Sequence, residues 1–312
     1  MHKTFTAILL LMLMLVPQIS FAEEPQPGKS AILVVSFGTS MPEAQRAIDN
    51  LVNAAKKEFP SSDVYLTFTS NIIRRKLMIE KFSPIISRDK NVNLNFMVDN
   101  LFLMNPVEIL AGLNDNGYSK VCIMPTHIIP GEEYDEIANV AEAFSMLHGK
   151  YGFDDISLGT PFMYEPKDCA RMAEILAERF KSQLVDEETG IILMGHGTPE
   201  HFANALYSLL QVELDRIAYG RFFIGTVEAA PEIDDVVANL KRHPEIKKLV
   251  LSPLMIVAGD HANNDLAGDE ENSWLSILKA EGYENISTYL VGLGEDENIA
   301  KDFVQKIHEL ID

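Results

Sequence analysis

The chain repeats itself, and this limits the folds open to it. Residues 31–39, AILVVSFGT, align with residues 190–198, GIILMGHGT. Residues 121–133, VCIMPTHIIPGEE, align with residues 249–261, LVLSPLMIVAGDH. Between these blocks, the strand ending at Thr69 matches the strand ending at Glu228. Three matches in the same order mark a duplicated unit. Each block opens with a short apolar run and ends at Gly or Pro, the pattern of a strand buried on both faces. Such strands belong to a parallel sheet with helices on either side.

The rest of the chain agrees with that scheme. Strands are expected at 31–37, 64–69, 91–98, 120–125, 190–195, 222–227, 248–254 and 286–291, with 156–161 extended. Helices are expected at 42–58, 72–81, 106–113, 132–148, 168–180, 200–219, 232–241, 262–281 and 297–311. The fold class is therefore α/β, with two similar domains at 30–160 and 161–295.

Residues 1–22 read as an exported leader: Lys3 is its only charge, 7–16 form an apolar core, and Ser20-Phe21-Ala22 supplies the small residues of a cleavage site. An uncleaved anchor is the plainer alternative. Residues 23–29 then form a loose linker, and the expected location is the periplasm, with no stable membrane span after cleavage. The formal charge of −20 argues against nucleic acid as a partner and favours attraction of cations. The two cysteines, Cys122 and Cys169, lack CxxC spacing and are expected to be unpaired.

The copies are most informative where they differ. Phe37 aligns with His196, Thr69 with Glu228 and Glu133 with His261. Parallel strands end on one edge of their sheet, so His196, Glu228 and His261 can converge despite their separation in sequence. Two imidazoles and a carboxylate suit a borderline divalent ion such as Co2+, Fe2+, Ni2+ or Zn2+. The carboxylate could also accept a proton beside the metal. Each residue also has a plainer reading: a turn for His196, a helix N-terminus for Glu228, a cap or solvent-facing ring for His261. His127 either lines the same cleft from the first half or packs in its core. The loop Ser36-Phe37-Gly38-Thr39-Ser40 offers N–H groups and hydroxyls at a helix start, suited to an anion. Arg74-Arg75-Lys76 is either a carboxylate clamp or an ordinary helix surface. The acidic run from Asp265 to Glu271 reads foremost as a solvated helix face, with a role in collecting metal ions as the lesser reading.

Six segments carry a resemblance to a known family: VVSFGTS (34–40), FTSNIIRRKL (68–77), HIIPGEEY (127–134), MGHG (194–197), VEAAPEID (227–234) and PLMIVAGDHANNDLAGDEENSW (253–274). Together they resemble the anaerobic cobaltochelatases of the CbiK type, among the class II chelatases. The resemblance implies two flavodoxin-like domains, each a parallel sheet flanked by helices, with the active site in the cleft between them and helix 296–312 packed back on the first. It implies ATP-independent insertion of Co2+ into sirohydrochlorin or its reduced precursor, precorrin-2, on the route to cobalamin. His196, Glu228 and His261 fall on the metal-binding positions. Ser36, Gly38, Thr39, Ser40, Arg74, Arg75 and His127 would hold the tetrapyrrole.

Co2+ would be the substrate metal; no organic cofactor is called for and a bound haem is not indicated. A homo-oligomer is expected. Two features depart from the pattern: the leader, and residues 83–103, which could bind a subunit or another ligand. The leader leaves open an exported iron- or haem-related chelatase, or a metal or tetrapyrrole carrier without turnover. A zinc hydrolase is a further alternative, weakened by the lack of an HExxH helix.

Overall fold

The computed structural model describes residues 28–86 and 104–311, the side chains of 79–86 excepted. The expected leader, nearly all of the linker and the strand expected at 91–98 lie outside the described residues. So does most of 83–103, although helical backbone continues to Ile86.

The first half holds strands β1 (Lys29–Ser36), β2 (Asp63–Phe68), β3 (Tyr118–Pro125) and β4 (Asp155–Leu158), joined by helices α1 (Pro42–Glu58), α2 (Asn71–Ile86), α3 (Pro106–Asp115) and α4 (Glu132–Ser145). Helices α5 (Pro166–Arg179) and α6 (Lys181–Leu184) lead into the second half. There β5 (Thr189–Gly195), β6 (Phe222–Thr226), β7 (Lys248–Pro253) and β8 (Asn285–Thr288) alternate with α7 (Ala205–Ile217), α8 (Ile233–Leu240) and α9 (Trp274–Ala280). Helix α10 (Glu297–Ile311) closes the chain.

Among the described residues every strand pairing is parallel, and the two sheets have the same order, β2-β1-β3-β4 and β6-β5-β7-β8. The duplication read in sequence is thus a duplication of topology. Register supports it too: Ala31 pairs with Val121 as Gly190 pairs with Leu249.

Side chains alternate across a strand, and here the alternation sorts residues into layers. Ile32 and Val34 of β1 and Ile191 and Leu193 of β5 belong to one apolar core shared by both halves. Ala31, Leu33 and Val35 face outward onto Ile109, Leu110 and Ile137. Ile192 and Met194 face outward onto Val236, Leu240 and Trp274. The shared core also holds Ile48 and Leu51 of α1 with Phe303 and Ile307 of α10. Helix α10 therefore lies against the first half, where His308 meets Glu58 at 3.2 Å. Because the two sheets share this core, their C-terminal strand ends are held at fixed positions beside one cleft.

One expected helix is broken. Residues 262–281 were one periodic run in sequence, yet Ala262–Leu266 form a wide π turn and α9 begins only at Trp274. A side chain at Gly268 would strike the carbonyl oxygen of Asn264 at 2.4 Å, so the chain turns there. Ser273 then caps α9, its Oγ accepting from the Ser276 N–H at 3.1 Å. Among the described residues no helix is long and apolar enough to cross a membrane.

Candidate active site

Strand β5 delivers His196 to the cleft. Gly195 precedes it because a Cβ there would lie 2.6 Å from the Tyr207 ring. Gly197 follows at φ 81°, a left-handed turn that suits glycine. The buried Tyr207 hydroxyl, with its pKa pushed up to about 12 by burial, accepts from the Gly197 N–H at 3.5 Å. The His196 ring is oriented by its own turn, with Nδ1 2.9 Å from the Gly197 carbonyl oxygen. A carbonyl only accepts, so Nδ1 carries the proton and Nε2 keeps a lone pair.

Glu228 stands just past β6, its N–H donating to the His196 carbonyl at 2.9 Å. Its carboxylate lies 3.8 Å from His196 Nδ1. His261 does not sit directly at a strand end: residues 254–260 separate it from β7, which ends at Pro253, and it opens the π turn with Nδ1 2.6 Å from the Asp265 carboxylate. Ligand atoms of His196, Glu228 and His261 all lie within 4.8 Å of one another. This is the one such group of three among the described residues. All three side chains are about one-third to two-fifths exposed, so they present donor atoms to the cleft.

The cleft is a cavity of about 710 Å3 between the halves. That is within the usual range for a small-molecule site, about 300–1,000 Å3. Its walls are largely apolar, with Phe37, Ile72, Ile128, Leu254, Met255 and Ile256 among them. From the first half, Ser36, Gly38, Thr39, Ser40 and His127 all line it. Two of the hydroxyls are engaged within the loop: Ser36 Oγ accepts from the Gly38 N–H at 3.3 Å, and Thr39 Oγ1 from the Met41 N–H at 3.1 Å. His127 is about nine-tenths buried, with Nε2 3.3 Å from the Glu133 carboxylate. Phe37 faces the metal-ligand side, its ring centroid 6.2 Å from that of His196.

The basic clamp is corrected. Neither Arg74 nor Arg75 lines the cavity, whereas Lys76 does. Arg74 is buried, with Nη1 4.0 Å from Glu108 and Nη2 bonded to Asn71 Oδ1. Arg75 is exposed. Lys76 reaches Ser40 Oγ at 3.1 Å. Successive helical residues point about 100° apart, so this run of three cannot face one way.

The pairing of Thr69 with Glu228 is also corrected, by one residue. Ser36 pairs with Phe68 and Gly195 with Thr226. Next, the Ser70 N–H bonds the Phe37 carbonyl at 3.3 Å as the Glu228 N–H bonds that of His196. Ser70 is the counterpart of Glu228 and lines the cleft.

The duplication extends to the seam. A Cβ at Gly131 would meet Thr198 at 2.9 Å, and one at the equivalent Gly259 would meet Thr39 at 3.7 Å. Only the first contact is latched: the Glu132 N–H donates to Thr198 Oγ1 at 3.2 Å. The sequence did not point to Ser70, Tyr207 or Thr198, and it did not single out Lys76 within the basic run or Asp265 within the acidic one. For Asp265 the signal was its position four residues after His261, which was hidden within the acidic run. Its neighbours Asp269, Glu270 and Glu271 are exposed, as a solvated face would be.

Comparison with known proteins adds to this geometry. A relative from Salmonella typhimurium, named sirohydrochlorin cobaltochelatase, is 32% identical over 287 residues, covering 91% of this chain and 97% of its own length. A second, sirohydrochlorin cobaltochelatase CbiKC from Nitratidesulfovibrio vulgaris, is 28% identical over 254 residues and covers 81% of each chain. Among solved structures, SirB from Bacillus subtilis with Fe3+ matches with a TM-score of 0.56 at 14% identity, over 90% of this chain and 95% of that one. CbiX, described as the terminal enzyme of siroheme biosynthesis in denitrifying bacteria, gives 0.54 at 15% identity, over 90% of this chain and 100% of that one. At such identities these two show a shared fold. The family model for cobalt chelatase (CbiK) matches residues 30–312, and the chain belongs to that family.

Proposed function

We propose that this enzyme inserts Co2+ into sirohydrochlorin, or its reduced precursor precorrin-2, with release of two pyrrole protons and without nucleotide hydrolysis. The carrying observation is the His196, Glu228 and His261 group, within 4.8 Å of one another, on the wall of a cleft of about 710 Å3. Two imidazoles and one carboxylate leave positions on a divalent ion open, as a metal bound for transfer requires. The apolar walls suit the face of a macrocycle. Lys76, Ser40 and the N–H groups of the loop at the start of α1 can meet its acidic side chains.

Each metal–nitrogen bond to a pyrrole displaces a proton, which needs an acceptor close by. Glu228 on one wall, and Glu133 beside His127 on the other, supply carboxylates on opposite sides of the cleft. Chelation by four ring nitrogens replaces the protein ligands, so the exchange is favourable without a coupled reaction. The named activity of the two relatives supports this substrate. The leader read in residues 1–22 supports work in the periplasm, and we infer a homo-oligomer; fractionation and light scattering test these two points.

The test is anaerobic visible spectroscopy of sirohydrochlorin with limiting enzyme and Co2+, repeated with Fe2+, Ni2+ and Zn2+. Conversion of many equivalents per enzyme is the expected result. A spectral change that stops at one equivalent would instead identify a carrier.

A further inference from the structure

We propose that Asp265 is a positioning residue for the metal, holding the His261 ring so that Nε2 is presented to the ion. The inference rests on His261 being a ligand, as argued above. The sequence Gly259-Asp260-His261-Ala262-Asn263-Asn264-Asp265 folds as a set of three consecutive links, each spanning four residues. Asn263 Nδ2 donates to the Gly259 carbonyl at 2.7 Å. Asn264 Nδ2 donates to Asp260 Oδ1 at 2.9 Å. His261 Nδ1 meets Asp265 Oδ2 at 2.6 Å. The first two links fix the turn, and the third fixes the ring within it.

The π turn over Ala262–Leu266 brings Asp265 beside the His261 ring. Asp265 is only partly exposed, whereas Asp269, Glu270 and Glu271 are exposed. An ionised carboxylate has no proton to give, so the proton of this bond sits on Nδ1 of the imidazole. That tautomer leaves the Nε2 lone pair for the metal. His196 is held differently, with Nδ1 against the neutral carbonyl of Gly197 at 2.9 Å. One ligand is therefore oriented by backbone and the other by a side chain, and only the second can be removed by substitution. A carboxylate behind a metal-bound histidine sets both tautomer and ring orientation, and its loss typically costs about 10–100-fold in metal affinity or activity.

The test is calorimetric titration of the purified enzyme with Co2+ alone, in the absence of tetrapyrrole, for the wild type, Asp265→Ala, Asp265→Asn and His261→Ala. Asp265→Ala is expected to bind Co2+ about 10–100-fold more weakly. Asp265→Asn should fall between, because its amide oxygen can still accept from Nδ1. Nitrogen NMR of 15N-histidine enzyme without metal gives a readout that packing alone would not move. His261 should be a single Nδ1–H tautomer in the wild type and a mixture in Asp265→Ala. If Asp265→Ala melts early, Asp265→Asn and the tautomer signal decide. Co2+ binding by both Asp265 variants within twofold of wild type, while His261→Ala loses it, would overturn this inference and leave the ligand assignment standing. Wild-type binding by His261→Ala would overturn both.

Discussion

His196 and His261 stand edge to face with ring centroids 4.9 Å apart, one directly after β5 and the other at the far end of the segment that follows β7. These strands are neighbours in the sheet, so their ends lie on one edge, and the two rings close the metal-facing side of the cleft. Neither ring is in the core. Replacing His261 or His196 by Ala is therefore expected to leave stability within about 0.5 kcal/mol. Cobalt insertion should fall by more than about 100-fold, beyond the upper end of what outer partners of a metal ligand cost. Steady-state rates with sirohydrochlorin, set beside urea unfolding, check both halves of this statement.

Gly195 is expected to tolerate no side chain. A Cβ would lie 2.6 Å from the Tyr207 ring, which is fully buried against the shared core. Gly195→Ala should cost about 1–3 kcal/mol through overpacking. It should also weaken Co2+ binding, since the displaced ring supports the turn that carries His196. Denaturant midpoints and a Co2+ titration measure the two effects.

Thr198→Val should loosen one seam of the cleft while keeping the side-chain shape. The Glu132 N–H loses its acceptor across the halves, at a cost of about 0.5–1.5 kcal/mol. Amide exchange at Glu132 is expected to accelerate. In Thr39→Val it should not, because Thr39 Oγ1 serves the Met41 N–H of its own turn.

Lys76 and Arg75 separate the two readings of the basic run. Lys76→Ala should raise the KM for the tetrapyrrole several-fold, with the KM for Co2+ unchanged. Arg75→Ala should change neither, because it lies off the cavity wall. Initial rates at varied macrocycle concentration measure this contrast.

The thiols of Cys122 and Cys169 are buried and free, and burial pushes each pKa up to about 11. Neither is expected to react with a disulfide reagent in the native enzyme at pH 8, and both should react after unfolding. An unfolded thiol ionises near about 8.5. The folded state keeps its proton through the range between that value and about 11, so the contribution is full at lower pH and is lost as pH rises. Thermal midpoints should therefore decline above pH 9.

The repeated strands were legible in sequence because burial on both faces leaves a continuous apolar run. The strand-end position of His196 and Glu228 followed from that repeat, whereas His261 lies beyond a segment, residues 254–260, that the strand pattern did not show. What sequence misplaced was the phase around each element. The counterpart of Glu228 is Ser70, one residue beyond the aligned Thr69, because register is set by which carbonyl of the neighbouring strand accepts. Arg74, Arg75 and Lys76 look alike as a run, but the helix turns Arg74 inward towards Glu108 and Lys76 towards the cleft. The residues after His261 have a helical period, yet they form a π turn ended at Gly268 by contact with Asn264, which no periodicity reveals.

The most direct measurement is anomalous diffraction at the cobalt edge from crystals of the enzyme soaked in Co2+. The account predicts one ion in the cleft, bonded to nitrogens of His196 and His261 and an oxygen of Glu228, each about 2.0–2.2 Å away. An ion bound elsewhere, or one in the cleft that leaves any of these three groups uncoordinated, would contradict it.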